Sequence, residues 1–227
     1  EQADFRITDL TPAGLRTRFR VQRPDAAAVS VDLAMPGRHN VLNAAAAVAV
    51  ATDQDLDAAA IADSLSRFGG VGRRFSVLGE LALDCGSAVL VDDYGHHPTE
   101  VSATLASARQ AWPDRRLVMV YQPHRYTRTR DLYEDFVAVL SGCDALLLLE
   151  VYAAGELAVT GADSRSLARS IRQRGQLEPV YAPDVSQVPA LLADVLRDGD
   201  VVITQGAGDI AGLARELAAN GIAGVSA

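Results

Sequence analysis

Hydrophobic and polar positions alternate near the start of the chain and then give way to a helical pattern. The alternation at 15–21 and at 29–33 predicts two half-buried strands. The nearly continuous apolar run at 41–51 has the length of a helix, and 58–68 predicts a second, shorter helix. Because two or three strands and two small helices bury little surface, we expect them not to form a domain with its own core.

Three glycines in the four residues 69–72 mark a turn or hinge, and the pattern beyond them is different. We therefore predict a domain boundary here. Residues 1–70 are expected to be the incomplete end of one domain, and residues 71–227 are expected to form a second domain.

Short apolar runs alternate with amphipathic helices throughout the second domain. Its first two predicted strands, 74–78 and 81–84, are expected to be joined by a hairpin turn at Gly79 and Glu80. Five further strands are predicted at 88–92, 117–121, 145–149, 179–181 and 200–204. Continuous runs of Val and Leu indicate strands that are buried on both faces, as in a parallel sheet covered by helices. The pattern predicts an α/β fold, a doubly wound sheet of about five parallel strands.

Charge and composition exclude several classes of function. The 227 residues carry a net charge of −8, which argues against nucleic acid as a partner. All 21 basic residues are Arg, so the chain has no Walker A loop and no lysine for Schiff-base or general-base chemistry.

Cellular location can also be predicted from the sequence. No apolar run approaches the length of a membrane span, no secretory signal opens the chain, and Cys85 and Cys143 form no CxxC pair. We expect a soluble cytoplasmic protein that does not bind membranes. The first residue is Glu1 rather than Met, which suggests a piece of a longer protein.

Residues that can carry chemistry cluster where the predicted parallel strands end. One strand runs into DDYGHH at 92–97, the next into QPHRYTR at 122–128, a third into Glu150, and the last into QGAGD at 205–209. Ligands of open parallel sheets bind outside these carboxyl ends. All four histidines lie in polar motifs, three of them here, so we predict a site at this edge of the sheet.

The PHRYTR segment has the composition of an anion site. Arg125 and Arg128 lie beside His124 near the start of a predicted helix, and Arg130 follows. Guanidinium groups in this setting suit a carboxylate or a phosphate. A solvated basic loop is the alternative, and the proximity expected for the DDYGHH loop of the neighbouring strand disfavours it.

The DDYGHH segment supports two interpretations. Asp and His can bind a metal ion, but a structural zinc needs four ligands and no further cluster supplies them, so we predict no metal. The favoured interpretation has an Asp accepting hydrogen bonds from ribose, with Tyr94 and His96 facing the reacting substrate. His97, directly before Pro98, is expected only to end the loop.

Two other polar segments give weaker signals. GAGD resembles a glycine-rich phosphate turn but lacks the acidic residue expected about twenty residues later, which favours a tight strand-to-helix turn. In GRHNVLN, Asn40 and Asn43 could recognise the edge of adenine, since an amide both donates and accepts. Capping of the helix by Asn40 is the simpler interpretation.

Several motifs together resemble the Mur ligases. They are GRHNVLNAAAAVA, GRRF, VDDYGHHPTEV, YQPHRYTRTRDLYEDF, and VYAAGE with GADS. The resemblance extends over nearly the whole chain, and the PHRYTRTRDL string is its most specific part. It implies that residues 1–70 are the C-terminal part of a central ATP-binding domain without its P-loop. Residues 71–227 would then be the C-terminal Rossmann-like domain, which binds the incoming amino acid.

The resemblance also implies a reaction, which belongs to the full-length enzyme. ATP, with Mg²⁺, would phosphorylate the lactyl carboxylate of UDP-N-acetylmuramate, and the amine of L-alanine would attack the acyl phosphate to give an amide, ADP and phosphate in peptidoglycan precursor synthesis. A ligase of the same family that recycles murein peptides is the nearest alternative, although it has a different sequence at PHRYTRTRDL. A dinucleotide-dependent oxidoreductase built around GAGD and a non-catalytic nucleotide-binding module are the alternatives from other classes. The sequence indicates no oligomeric state.

The family pattern assigns nucleotide contacts to five residues of this chain. By resemblance, His39, Asn40 and Asn43 border the adenine. Arg74 and Asp93 are implied to hold the ribose and phosphate.

A second group of five residues is assigned by resemblance to the incoming amino acid. Arg125 and Arg128 are implied to bind the alanine carboxylate and the charged intermediate. His124, Tyr94 and His96 are implied to line the same pocket.

Overall fold

The computed structural model describes residues 3–84 and 86–222, so Cys85 lies outside the described residues. The chain forms two compact units. Unit 1 comprises Glu1–Val71 and Ala106–Pro113, and unit 2 comprises Gly72–Leu105 and Asp114–Ala227. The chain first passes from one unit to the other inside the glycine-rich segment 69–72, where the sequence predicts a boundary. Assignment of unit 1 to an incomplete ATP-binding domain stays a prediction.

The described residues of unit 1 contain an antiparallel sheet of three strands, two whole helices and the end of a helix that begins in unit 2. The elements are β1 (Arg6–Ala13), β2 (Arg16–Arg23), β3 (Ala26–Leu33), α1 (Arg38–Asp53) and α2 (Ala58–Arg67), with strand order β1-β2-β3. β2, β3 and both helices were predicted. β1 was not, because most of its residues are exposed on both faces of this edge strand, so no alternation marks it.

The expectation that these elements lack a core of their own is wrong. β2 and β3 turn alternate side chains, among them Phe19, Val21 and Val31, toward one face of the sheet, where Val48 of α1 and Ile61 of α2 are also buried. Two helices covering a single face are enough to enclose these side chains, because only that face of the sheet needs to be buried.

Replacing Phe19 by Ala should destabilise unit 1 strongly. Phe19 is 2% exposed, and truncating a buried Phe costs about 3–5 kcal/mol. Leu42→Ala, at a side chain of α1 that is 51% exposed, is the control and should change stability by less than about 0.5 kcal/mol. Hydrogen exchange of the backbone amides of β2 and β3 measures the difference. Equal protection in the two variants would contradict the core described here.

Unit 2 contains a six-stranded sheet covered by helices. Its strands are β4 (Ser76–Leu83), β5 (Gly86–Asp93), β6 (Leu117–Tyr121), β7 (Ala145–Leu149), β8 (Val180–Ala182) and β9 (Val201–Gln205). The order is β4-β5-β9-β6-β7-β8, with β4 antiparallel to β5 and the other five strands parallel. The predicted α/β, doubly wound, mostly parallel fold is confirmed.

Helices follow the parallel strands. They are α3 (Pro98–Ala111), α4 (Tyr126–Asp131), α5 (Tyr133–Leu140), α6 (Ser164–Gln173), α7 (Val188–Val195) and α8 (Ile210–Asn220). The residues of α3 from Ala106 on belong to unit 1, and a 3₁₀ turn at Val185–Gln187 precedes α7.

The packing of β6 explains why the sequence of this strand is continuously apolar. Val118 and Val120 pack in one cluster with residues of α7 and α8, whereas the Tyr121 ring contacts Phe136 of α5, with the ring centroids 5.9 Å apart. Both faces of the sheet are therefore buried.

The predicted hairpin turn at Gly79 and Glu80 is wrong. β4 runs through both residues, and its pairing with β5 continues to Leu83 opposite Gly86, with a register shift between Val77 and Gly79. Gly79 has φ 131°, a conformation that glycine adopts readily. The glycine therefore marks a bulge in a strand and not its end.

The loops after β5 and β6 do not follow adjacent strands, contrary to expectation, because β9 lies between them. The last strand of the sequence thus contributes to the middle of the sheet. Of the helices formed by residues 3–84 and 86–222, none combines the length and the apolar composition needed to cross a bilayer.

Candidate functional site

The loops that follow β5, β6 and β7 meet at the carboxyl edge of the unit 2 sheet. The ring centroids of His96 and His124 lie 5.5 Å apart, and the His124 ring stacks on Tyr152 at 5.5 Å with an interplanar angle of 14°. Tyr94 makes an edge contact with His96 at 5.3 Å. Four aromatic rings from three loops therefore form a continuous row, which we call the ring row: Tyr94, His96, His124 and Tyr152.

Asp93, at the end of β5, is buried and organises the loop that follows. Its Oδ2 accepts the backbone N–H of Phe75 at 2.8 Å, and its Oδ1 accepts the N–H of Gly95 at 2.7 Å and Nε2 of Gln205 at 2.9 Å. A carboxylate can accept about four hydrogen bonds. Three are made within the protein, so Asp93 has a positioning role, and its contact with ribose stays a prediction.

Arg73 connects three segments of unit 2. It was not predicted as a site residue from the sequence, where only its neighbour Arg74 was selected. Its Nε donates to Oδ2 of the buried Asp92 at 2.9 Å, and its Nη2 donates to the carbonyl of Gly206 at 2.8 Å. Its own carbonyl accepts the N–H of Tyr94 at 2.7 Å. The only sequence signal is its place in GRRF, because the partners are up to 133 residues away.

Arg74 and Glu100 form an ion pair beside the ring row. Arg74 Nη1 lies 3.1 Å from Glu100 Oε1, and the guanidinium lies 5.5 Å from the centre of the Tyr94 ring. Glu100 Oε2 accepts the backbone N–H groups of His96 and His97 at 2.9 and 3.0 Å. Burial raises the pKa of Glu100, but the hydrogen bonds from the backbone and Arg74 outweigh it and hold the pKa below its ordinary value.

Glu100 was also missed, although PTE directly after the two histidines is a signal that could have identified it. It is the third residue of α3, and a glutamate there commonly binds the N–H of the residue before the helix. That residue is His97, whose Nδ1 accepts the N–H of Thr99 at 3.3 Å. His97 therefore ends the loop by capping α3, as its position before Pro98 suggested.

Glu156, in the loop after β7, holds the start of α4. Its Oε2 accepts the N–H of Thr127 at 3.0 Å, and its Oε1 accepts the Thr127 hydroxyl at 2.7 Å and Nη1 of Arg125 at 3.4 Å. These bonds, led by the Thr127 N–H, lower the pKa of Glu156. Arg125 precedes the helix with φ 74° and has no side-chain cap of its own, so a cap from another loop is needed.

The backbones of the β6 and β7 loops are also paired. Arg125 N–H donates to the carbonyl of Tyr152, and Tyr152 N–H donates to the carbonyl of Pro123, both at 2.8 Å. Arg128 Nη1 donates to the carbonyl of His124 at 2.9 Å and lies 3.3 Å from its Nδ1. The PHRYTR segment is thus an anchored helix start rather than a solvated loop, and it brings Arg125 and Arg128 beside His124.

The GAGD segment is a tight strand-to-helix turn. A Cβ added to Gly206 would lie 2.8 Å from the carbonyl of Gln122, and one added to Gly208 would lie 2.4 Å from Gln122 Oε1 and 2.7 Å from the Tyr152 ring. Gln122 Oε1 also accepts the N–H of Ile210 at 3.2 Å. Since Gln122 occupies the N-terminus of α8, the phosphate position of a dinucleotide site is filled by protein.

The remaining predicted residues, His39, Asn40 and Asn43, lie on α1 in unit 1. Asn40 is buried and its Nδ2 donates to the carbonyl of Pro36 at 2.7 Å, whereas His39 and Asn43 are exposed. Gly37 is the N-cap residue of α1, and no side chain caps the helix. The prediction that Asn40 caps this helix is therefore wrong. The adenine assignments stay predictions.

Within the described part of the chain, no three His, Cys, Asp or Glu side chains come together as a metal site would require.

Placing a methyl group at Gly95 should disrupt the loop after β5. A Cβ there would lie 2.5 Å from Gln205 Nε2 and 2.7 Å from Asp93 Oδ1, so we expect Gly95→Ala to lower the free energy of unfolding by about 1–3 kcal/mol. Gly212→Ala, in α8 with open space around it, should be neutral or stabilising by up to about 1 kcal/mol. Urea denaturation compares the two. Similar stability changes would contradict the close packing at Gly95.

Removing the Glu156 carboxylate should loosen the start of α4. We expect faster hydrogen exchange at the Thr127 amide in Glu156→Ala, whereas Glu216→Ala on the exposed face of α8 should leave it unchanged. Acidification should likewise lower the protection factor of the Thr127 amide, its exchange relative to an unstructured amide at the same pH, in the unaltered chain. Because the folded pKa of Glu156 is lowered, its contribution is complete above the unfolded pKa and is lost as pH falls through the folded value. A Thr127 protection factor that is independent of pH and of Glu156 would refute this cap.

A family comparison matches this architecture. The family model described as Mur ligase, glutamate ligase domain, matches residues 73–208. The chain therefore belongs to the Mur ligase family, as its motifs predicted, and this replaces the oxidoreductase alternative.

Within the family, the chain is 57% identical over 217 residues to UDP-N-acetylmuramate–L-alanine ligase of Halorhodospira halophila. That match covers 96% of this chain and 45% of the relative, so the chain spans less than half the length of this curated relative.

Solved structures show the same fold. UDP-N-acetylmuramate–alanine ligase MurC of Thermotoga maritima has a TM-score of 0.77 at 24% identity, over 95% of this chain and 45% of that one. A murein peptide ligase of Psychrobacter arcticus has a TM-score of 0.61 at 23% identity, over 95% and 44%. MurF of Acinetobacter baumannii has a TM-score of 0.67 at 16% identity, over 94% and 45%. At these identities the likeness concerns the fold alone.

Proposed function

We propose that this chain is part of an ATP-dependent, cytoplasmic ligase that joins L-alanine to the lactyl carboxylate of UDP-N-acetylmuramate, a step in peptidoglycan precursor synthesis. The observation that carries the proposal is the 57% identity to a ligase of that name over 96% of the chain. In this proposal, unit 1 is the end of the central ATP-binding domain. Unit 2 is the domain that binds the amino acid.

The alanine pocket is proposed to lie along the ring row, with Arg125 and Arg128 supplying positive charge. Arg125 is about half exposed, and its 3.4 Å contact with Glu156 is long for a hydrogen bond, which leaves the guanidinium able to bind a carboxylate. Arg128 is tied to His124 through the carbonyl and the ring. The arrangement suits a small zwitterion whose carboxylate contacts the two Arg residues.

The nucleotide contacts are proposed for both units separately. The exposed side chains of His39 and Asn43 on α1 suit the edge of adenine, with Asn40 supporting the helix from within. Arg74, near the start of unit 2, and Asp93, at the end of β5, are proposed to bind the phosphate and ribose. ATP with Mg²⁺ would supply the phosphoryl group that activates the carboxylate, and Mg²⁺ would neutralise the developing charge.

The decisive experiment measures ADP release by the full-length ligase with UDP-N-acetylmuramate, Mg-ATP and L-alanine. Release that depends on L-alanine supports the proposal. Release that depends instead on a murein peptide, with no response to L-alanine, would favour the peptide-recycling ligase of the same family.

Truncating either Arg of the pocket should impair the use of alanine in that enzyme. We expect Arg125→Ala and Arg128→Ala each to lower kcat/KM for L-alanine by roughly ten- to a hundred-fold, because charge-assisted hydrogen bonds to the carboxylate are lost. Lys at either position should restore activity only in part, since it restores charge without the fork of donors. The KM for ATP should change little. Normal alanine kinetics in both Ala variants would remove these residues from the pocket.

A further inference from the structure

Gln205, the last residue of β9, lies directly beside Asp93 in the sheet. The parallel pairing of β5 with β9 sets the two residues opposite each other, and both are buried. Nε2 of Gln205 lies 2.9 Å from Asp93 Oδ1 and 3.0 Å from Oγ1 of Thr104 on α3. A carboxylate only accepts hydrogen bonds, so the amide nitrogen of Gln205 must face Asp93.

Both amide hydrogens of Gln205 are used. The Thr104 hydroxyl donates to the carbonyl of Glu100 at 3.0 Å, so its oxygen can accept from Gln205. The bonds form a chain that runs from the backbone of α3 through Thr104 and Gln205 to the carboxylate of Asp93. The orientation of the Gln205 amide is therefore fixed from two sides.

The carbonyl oxygen of Gln205 is left without a comparable contact. Oε1 is buried, and among residues 3–84 and 86–222 it has no hydrogen-bond partner. A buried carbonyl without a partner is unfavourable, and an apolar side chain of similar size would avoid it. Packing alone therefore does not explain a glutamine at this position, whereas a need for its two donors does.

Asp93 keeps one acceptor position that the protein does not fill. A carboxylate can accept about four hydrogen bonds. Oδ1 receives two, from the N–H of Gly95 and from Gln205, and Oδ2 receives only the N–H of Phe75. Gln205 thus fills Oδ1 and leaves the open position on Oδ2. Without its amide, one of the three bonds that fix the plane of the carboxylate is lost.

We propose that Gln205 is a positioning residue for nucleotide binding, whose amide holds the Asp93 carboxylate so that Oδ2 accepts a hydrogen bond from a ribose hydroxyl. The inference rests on the proposed function, in which Asp93 binds the ribose, and deepens it. Gln205 acts through Asp93, since its own side chain is fully buried. Gly95 leaves room for the arrangement, because a Cβ there would lie 2.5 Å from Gln205 Nε2.

The first test measures the Gln205 amide in this chain by NMR, without a ligand. Its side-chain amide protons should exchange with water at least about tenfold more slowly than those of Gln176, because both are bonded and buried. Gln176, whose side chain is exposed, is the matched control with the same chemical group. Equal exchange at the two residues would overturn the proposal. The measurement needs neither ligase activity nor a substitution.

The second test compares ATP with 2′-deoxy-ATP and 3′-deoxy-ATP in the full-length enzyme. In the wild type, one analogue should have a KM roughly ten- to a hundred-fold above that of ATP, the range for loss of a hydrogen bond to a charged group. Gln205→Met should raise the KM for ATP toward that of this analogue and leave kcat nearly unchanged. The ratio of the two KM values should fall to about twofold or less, because the two changes remove the same interaction.

Thr204→Val is the matched control for stability. Thr204 is the neighbouring buried residue of β9, and its hydroxyl lies 3.0 Å from Oδ1 of Asp92 rather than Asp93. Losing this contact should destabilise the protein but leave the KM ratio between analogue and ATP at its wild-type value. The ratio therefore separates positioning of Asp93 from a general loss of stability.

Two kinetic outcomes would overturn the proposal. The first is a Gln205→Met enzyme that keeps the wild-type KM ratio. The second is a wild-type enzyme that uses both analogues as well as ATP, although ADP release dependent on L-alanine would then leave the proposed function standing. A wild-type enzyme without that release would overturn the proposed function, and the role of Gln205 in nucleotide binding with it, even if the amide exchanges slowly.

Discussion

Two adjacent buried carboxylates at the end of β5 are the constraint on which the rest of the candidate site depends. Burying a carboxylate is unfavourable unless it is paired or hydrogen-bonded. Asp92 is paired with Arg73, and Asp93 accepts two backbone N–H groups and the amide of Gln205. These partners come from the segment before β4, from the loop after β5 and from β9. Satisfying the carboxylates therefore fixes where all three segments lie, and with them Tyr94 and His96.

The same requirement recurs in the neighbouring loops. The start of α4 cannot satisfy its own backbone N–H groups, so Glu156 accepts from Thr127, and the paired backbones of Arg125 and Tyr152 hold the two loops together. As a result His124 stacks on Tyr152 and faces His96 across the end of β9. Arg125 and His124 are thus held by Glu156 and Tyr152 of another loop, which is how a site keeps its geometry without a ligand.

Much of the fold could be predicted from local patterns. β6 and β7 were predicted with their observed bounds, because a buried parallel strand is a short run of Val and Leu. β1 was not predicted because an exposed edge strand has no such pattern. The hairpin turn was misplaced because Gly79 lies at a bulge within β4 and not at its end. No local sequence pattern indicates that β9 lies between β5 and β6 in the sheet.

The sequence by itself determined which residues can do chemistry, since histidines and arginines at the ends of apolar strands mark the carboxyl edge of a parallel sheet. The tertiary structure alone decided how those residues are held. Nδ1 of His96 lies 3.2 Å from the carbonyl oxygen of Tyr94, and Nδ1 of His124 lies 3.3 Å from Nη1 of Arg128. Such contacts join groups through the fold, and Arg73 shows the extreme case, because its partner at Gly206 is 133 residues away along the chain.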